Sequence, residues 1–128
     1  HLKMMDVNAI EKNIDGDVTF YVLNTGSPHY IEMVDHINQV DVVGLGQSIR
    51  YNERFKKEGV NVNFVAQDED KILVRTYERG VENETLSCGT GVTAASIITG
   101  LYLAYGARHF CFQRHHPNLI QHIPYGFI

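Results

Sequence analysis

The sequence predicts an α+β domain in which an antiparallel or mixed β-sheet packs around one apolar helix. Two observations carry this. Short runs of β-branched and aromatic residues recur between turn-forming clusters, which is the pattern of sheet strands. The stretch from Thr90 to Tyr105 places Val92, Ala95, Ile97, Ile98, Leu101 and Tyr102 on every side of a helical wheel, and such a helix must be buried all round. A chain of 128 residues forms one ordinary domain and buries roughly two thirds of its unfolded surface, so one core is expected.

Taken in order, LKMMDV and VTFYVL predict two strands joined through a polar stretch that ends in Asp15-Gly16-Asp17. In NTGSPHYIEMV a Gly-Ser-Pro turn precedes a third strand over Tyr30 to Val34. Between Leu45 and Lys57, Ile49 and Phe55 among charged residues predict a short amphipathic helix, with Glu58-Gly59 as its C-terminal cap. Asn61 to Ala66 alternates as a strand, Gln67 to Asp70 reads as a turn, and ILVRTY completes a hairpin that runs out at Glu78-Arg79-Gly80.

Composition narrows the function classes. Lys and Arg number 11 against 15 Asp and Glu, a net charge of -4, and this excludes the basic excess that nucleic acid or an anionic membrane surface demands. No apolar run reaches the roughly 18 residues that cross a bilayer, and no secretory signal opens the chain, so a cytoplasmic protein is expected. Cys88 and Cys111 stand far apart without CxxC or Cys/His spacing, which speaks against a zinc site or a disulfide scaffold. Asn83-Glu84-Thr85 matches a glycosylation acceptor, a triplet common by chance.

The character of the chain changes after Leu101. Residues 101–128 contain no Asp, Glu or Lys, yet hold four of the seven histidines. His109, His115, His116 and His122 raise a metal-binding reading, weakened by the lack of carboxylates to orient the rings. The competing reading is a non-native tail, such as a frameshift product, with no function of its own. The expected division is a domain over 1–105 and an atypical tail, non-native or disordered, over 106–128.

The chemistry concentrates in ETLSCGTGVTA, residues 84–94. A cysteine just before a helix sees unpaired backbone N–H groups and the positive end of the helix dipole, which favour the thiolate. Gly89 and Gly91 open room for an anionic ligand to approach the same N–H groups, and Thr90 adds a hydroxyl. A buried structural cysteine beside a glycine-rich turn is the competing reading of Cys88. Ten residues upstream, TYERG sets Glu78 and Arg79 at a strand end, either facing one cleft or forming a solvated ion pair. His29 follows the Ser-Pro turn, as a proton relay or a plain loop histidine.

With NTGSPH (24–29), VNVNF (60–64), TYERG (76–80) and ETLSCGTG (84–91) in this order and near this spacing, the chain resembles the C-terminal half of diaminopimelate epimerase. The resemblance covers roughly the first hundred residues. It implies a barrel-like sheet around a central helix, one half of a two-domain fold with the active cleft between the halves. The reaction it implies is interconversion of LL- and meso-diaminopimelate in lysine and peptidoglycan-precursor synthesis, with no cofactor and no metal. One thiolate removes the α-proton and a second thiol delivers one to the opposite face.

By position Cys88 resembles the second of those cysteines, and Gly89 and Thr90 the nest for the substrate carboxylate. Glu78 would contact the substrate ammonium and assist Cys88, Arg79 and Asn61 would hold the distal end, and His29 would assist the cysteine of the other domain. Ser27 stands where many relatives have Asn, and its hydroxyl can replace that contact. The loop GVENET carries one residue more than the family's spacing, which a bulge would absorb. The family's first domain, with the partner cysteine, is missing from this sequence, so the 128-residue chain alone is expected to be inactive. The exposed half of a cleft leaves a homodimer open as an assembly. Two alternatives remain: a proline racemase or phenazine-type relative of the same fold, and a non-catalytic domain that binds an anion or a partner.

Overall fold

The computed structural model describes residues 10–87, 89–104 and 121–124. Along the chain these form β1 (Glu11–Asp15), β2 (Val18–Asn24), β3 (Pro28–Met33), a 3-10 turn (Ile37–Gln39), α1 (Val42–Arg50), β4 (Asn61–Asp68), β5 (Lys71–Glu78), β6 (Asn83–Thr85), α2 (Gly89–Ala104) and β7 (Gln121–Pro124). The strands make one mixed sheet in the order β1-β2-β3-β4-β5-β6, with β7 paired to β5 beside β6. Only β3 and β4 run parallel among these pairs, and α1 lies in the crossover that a parallel pair requires. The class is therefore α+β with a mixed sheet, as the sequence predicts. Closure into a barrel is not seen among the described residues, where the sheet runs open from β1 to β6.

The two faces of the sheet bury different side chains because strand residues alternate in direction. On one face Tyr21, Leu23, Ile31, Val65, Ile72 and Val74 pack against Ala94, Ala95 and Ile98 of α2. On the other, Tyr30, Val62, Phe64 and Tyr77 pack against Val42 of α1 and Phe55 beyond it. Helices thus cover both faces, and α2 lies on one of them. This is why β4 is buried from Asn61 to Gln67 despite its strand-like alternation. From Thr90 to Leu103 no residue of α2 is exposed, in keeping with its all-round apolar wheel.

Several boundaries differ from the sequence expectation. The first predicted strand, LKMMDV, lies outside the described residues, and β1 instead occupies the polar EKNID. That strand edges the sheet with little burial, so no apolar alternation marks it. Helix α1 begins at Val42, where the Asp41 carboxylate accepts the Gly44 N–H at 3.0 Å. It stops at Arg50, short of the expected Lys57, because Asn52 Oδ1 takes the Phe55 N–H at 2.9 Å and draws the backbone into turns. Gly59 closes those turns, its N–H donating to Phe55 O at 2.7 Å, and does not cap α1. Strand β7 falls in the tail, where the sequence shows no strand pattern. His109, Cys111, His115 and His116 lie outside the described residues.

Two polar clusters tie β5 to its surroundings. Arg75 pairs with both oxygens of Glu84 at 2.8 Å and donates to the carbonyls of Ile37 and Val40 at 3.0 Å, tying the 3-10 turn to β6. Glu82, in the loop after Arg79, has φ of 57°, and its carboxylate accepts from Gly80 N–H, Tyr77 Oη and Arg50 Nε. Burial pulls its acidity the other way, yet these donors hold the carboxyl below the usual range. The Tyr77 hydroxyl is pushed up to about 12, by burial first and by this hydrogen bond second. The loop is thereby tied down by the Glu82 side chain.

Candidate active site

Parallel pairing of β3 with β4 sets His29 beside Asn61, and antiparallel pairing of β4 with β5 sets Asn63 beside Thr76. All four face the α2 side of the sheet, because they alternate with the α1-facing Tyr30, Val62 and Tyr77. There a cavity of about 210 Å³ is lined by Ser27, His29, Asn61, Thr76, Glu78, Arg79 and Ser87. Five residues singled out from the sequence, Ser27, His29, Asn61, Glu78 and Arg79, thus share one cavity.

His29 is fully buried. Its Nε2 lies 3.1 Å from Ser27 Oγ and 3.2 Å from Thr90 Oγ1, and its Nδ1 lies 3.1 Å from Asn63 Nδ2. Burial, and then the positive charge of Arg79, lower its pKa to about 4, so the ring is neutral at physiological pH. Asn61 bridges two walls: its Nδ2 donates to Ser27 Oγ at 3.2 Å and its Oδ1 accepts the Arg79 backbone N–H at 2.9 Å. Glu78 is aimed by Thr85, whose hydroxyl donates to Oε1 at 2.9 Å, and the Arg79 guanidinium donates to Glu58 O at 2.9 Å.

The start of α2 is docked onto the turn between β2 and β3. Thr25 Oγ1 donates to Thr90 O at 2.6 Å, and Ser27 Oγ sits 3.2 Å from Thr90 Oγ1. Gly91 lies close under Ser87, and a Cβ there would overlap Ser87 Oγ as placed and displace that hydroxyl. Gly89 is exposed, with no neighbour near where a Cβ would stand. Cys88 lies outside the described residues, although Ser87 before it lines the cavity and Gly89 after it opens α2. Among the described residues no group of His, Cys, Asp and Glu could hold a metal ion, and no helix is long and apolar enough to cross a membrane.

Asn63, Thr76, Thr25 and Ser87 are the site residues that the sequence reading does not single out. A signal existed for Asn63, because two asparagines two residues apart in a strand face the same way, and one of them was already a candidate. Thr76 required the register of β4 against β5, which no local pattern specifies.

A diaminopimelate epimerase family model matches residues 21–109. A diaminopimelate epimerase of Aquifex aeolicus is 51% identical over 90 residues, which are 69% of this chain and 32% of that protein. That of Archaeoglobus fulgidus is 52% identical over 94 residues, 73% of this chain and 33% of the relative. That of Flavobacterium psychrophilum is 48% identical over 91 residues, 70% and 35% respectively. The chain thus spans about a third of the length of the curated relatives it matches. The matched segment contains β3 to α2 and every residue placed around the cavity, and on this evidence the chain belongs to the diaminopimelate epimerase family.

Proposed function

We propose that this chain carries one half of the active cleft of a cofactor-independent diaminopimelate epimerase, with Cys88 as one of two opposed acid-base thiols. The observation that carries this is the convergence of Ser27, His29, Asn61, Glu78 and Arg79 on one cavity, beside the residue that precedes Cys88. An unactivated α-proton is weakly acidic, so its removal needs a positioned base, an acid on the opposite face and a fixed anion site. Cys88 would be one of the pair. The Gly89 and Thr90 amides would receive the carboxylate at the reacting carbon, and Glu78 would take the ammonium group and assist Cys88. Asn61, Arg79 and Ser27 would hold the distal end, and His29 would assist the partner thiol.

The partner thiol belongs, in this reading, to a preceding domain that supplies the opposite wall and the family's two-domain, barrel-like fold. The cavity is smaller than the roughly 300–1,000 Å³ usual for small-molecule sites, which suits half of a shared cleft. Val81 and Leu86, on either side of β6, are exposed apolar side chains that a second domain or a second copy would cover. The 128-residue chain alone is accordingly expected not to turn over LL-diaminopimelate.

Amide NMR titration of the chain tests the ligand class. Shifts at Ser27, Asn61, Glu78 and Thr90 with diaminopimelate, and none with proline or inorganic phosphate, are expected. A response to proline or hydroxyproline alone would assign the site to a racemase of another amino acid. A response to phosphate alone would make it a plain anion-binding domain.

A further inference from the structure

We propose that Asn63, backed by Thr76, holds the resting His29 ring in its Nε2–H tautomer, so that the ring turns an N–H, and not a lone pair, toward the Ser27 and Thr90 hydroxyls. The orientation of the Asn63 amide decides this. Its Nδ2 faces Tyr30 O at 3.2 Å and Asn61 O at 3.3 Å, and backbone carbonyls only accept. Turning the amide over would set its oxygen against both of them. In that orientation the Thr76 hydroxyl donates to Asn63 Oδ1 at 2.8 Å, so the oxygen is satisfied as well, while the two carbonyls decide which way the amide turns.

With Nδ2 so fixed, its two hydrogens face three acceptors, of which His29 Nδ1 at 3.1 Å is the nearest, and a proton on Nδ1 would point at a donor, so Nδ1 carries the lone pair. The single proton of the neutral ring then sits on Nε2, between Ser27 Oγ at 3.1 Å and Thr90 Oγ1 at 3.2 Å. Ser27 Oγ also accepts from Asn61 Nδ2, so its two lone pairs are engaged and its own hydrogen is left to give to Thr90 or to a ligand. Asn63 and Thr76 are fully or nearly fully buried, with no contact to the cavity mouth needed for this role. They are positioning residues. The charged groups lining the cavity with His29 are Glu78 and Arg79, and neither touches Nδ1 among the contacts observed.

The consequence at the substrate rests on the epimerase reading, but the tautomer does not, and it is measured without substrate. In the uniformly 15N-labelled chain at neutral pH, long-range proton–nitrogen correlation is expected to show His29 with a pyrrole-like Nε2 and a pyridine-like Nδ1. A protonated Nδ1, or an even mixture, overturns the proposal. Asn63→Asp replaces the donor by an acceptor and is expected to place a proton on Nδ1, either as the Nδ1–H tautomer or as the imidazolium; a bare, pyridine-like Nδ1 in a folded variant would overturn it. Asn63→Ala, which places no charge in the core, is expected to make ring protonation about tenfold easier by uncapping Nδ1. An Ala variant that titrates as the parent does would sink the proposal equally.

Discussion

The side-chain oxygen of Asn61 accepts the backbone N–H of Arg79 at 2.9 Å, so the first residue of β4 holds the chain just past the end of β5. The same amide donates to Ser27 Oγ, which links three separate elements through one side chain. Asn61→Ala is expected to cost about 1–3 kcal/mol, because a partly buried N–H is orphaned and Ser27 loses a donor. Asn61→Asp keeps the acceptor and should lose less. Urea unfolding midpoints of the two variants check the order.

Arg75 is the most connected cation in the described structure, with Glu84 and two backbone carbonyls as its partners. Both side chains of the pair are largely shielded, at 15% and 11% exposure, so removal of one charge strands the other. Arg75→Ala is expected to destabilise by about 3 kcal/mol. Glu84→Gln leaves the Arg75 charge without its counter-ion but keeps its two backbone carbonyls and one amide oxygen as acceptors, and should cost less. Thermal or urea unfolding measures both.

Burial gives a pH dependence of known sign. The folded-state pKa of His29 is lowered to about 4 from its ordinary 6.5, so between those pH values the unfolded chain binds a proton that the folded chain does not. Stability from this group is therefore present above pH 6.5 and lost as pH falls towards 4, by about 3 kcal/mol at most. Glu32, raised by burial, contributes with the opposite sign at the acid end. Subtracting the unfolding free energies of His29→Asn from those of the parent across this range isolates the histidine, and a flat difference would contradict its buried neutral state.

Gly46 lets α1 approach the sheet. A Cβ at this position would overlap the Tyr77 side chain, although Ala is worth up to about 1 kcal/mol more than Gly in a helix interior. Overpacking costs typically 1–3 kcal/mol, so the steric effect wins and Gly46→Ala is expected to lower stability. A Tm above the parent's would show that α1 is free to retreat.

How much was legible in the sequence follows from what each signal depends on. The hairpin of β4 and β5 and the helix α2 were readable because turn residues and apolar periodicity are local. β1 was not, because an edge strand with little burial has no reason to alternate. The end of α1 was missed because Asn52, a side chain that competes with the helix, outweighs the amphipathic pattern running past it. The cavity residues were legible as motifs, while Asn63 and Thr76 needed register, and the second helix-covered face of the sheet needed the three-dimensional path.

Cys88, between the cavity residue Ser87 and the start of α2, is the proposed acid-base thiol. The most direct measurement is the rate of Cys88 alkylation in the full chain as a function of pH, with and without diaminopimelate, followed by peptide mapping to separate it from Cys111. An acid-base thiol in this cleft is expected to show an apparent pKa below the 8.5 or so of an ordinary thiol and to be protected by diaminopimelate. An ordinary thiol pKa with no protection would contradict it and leave a domain whose glycine-rich helix start serves another purpose.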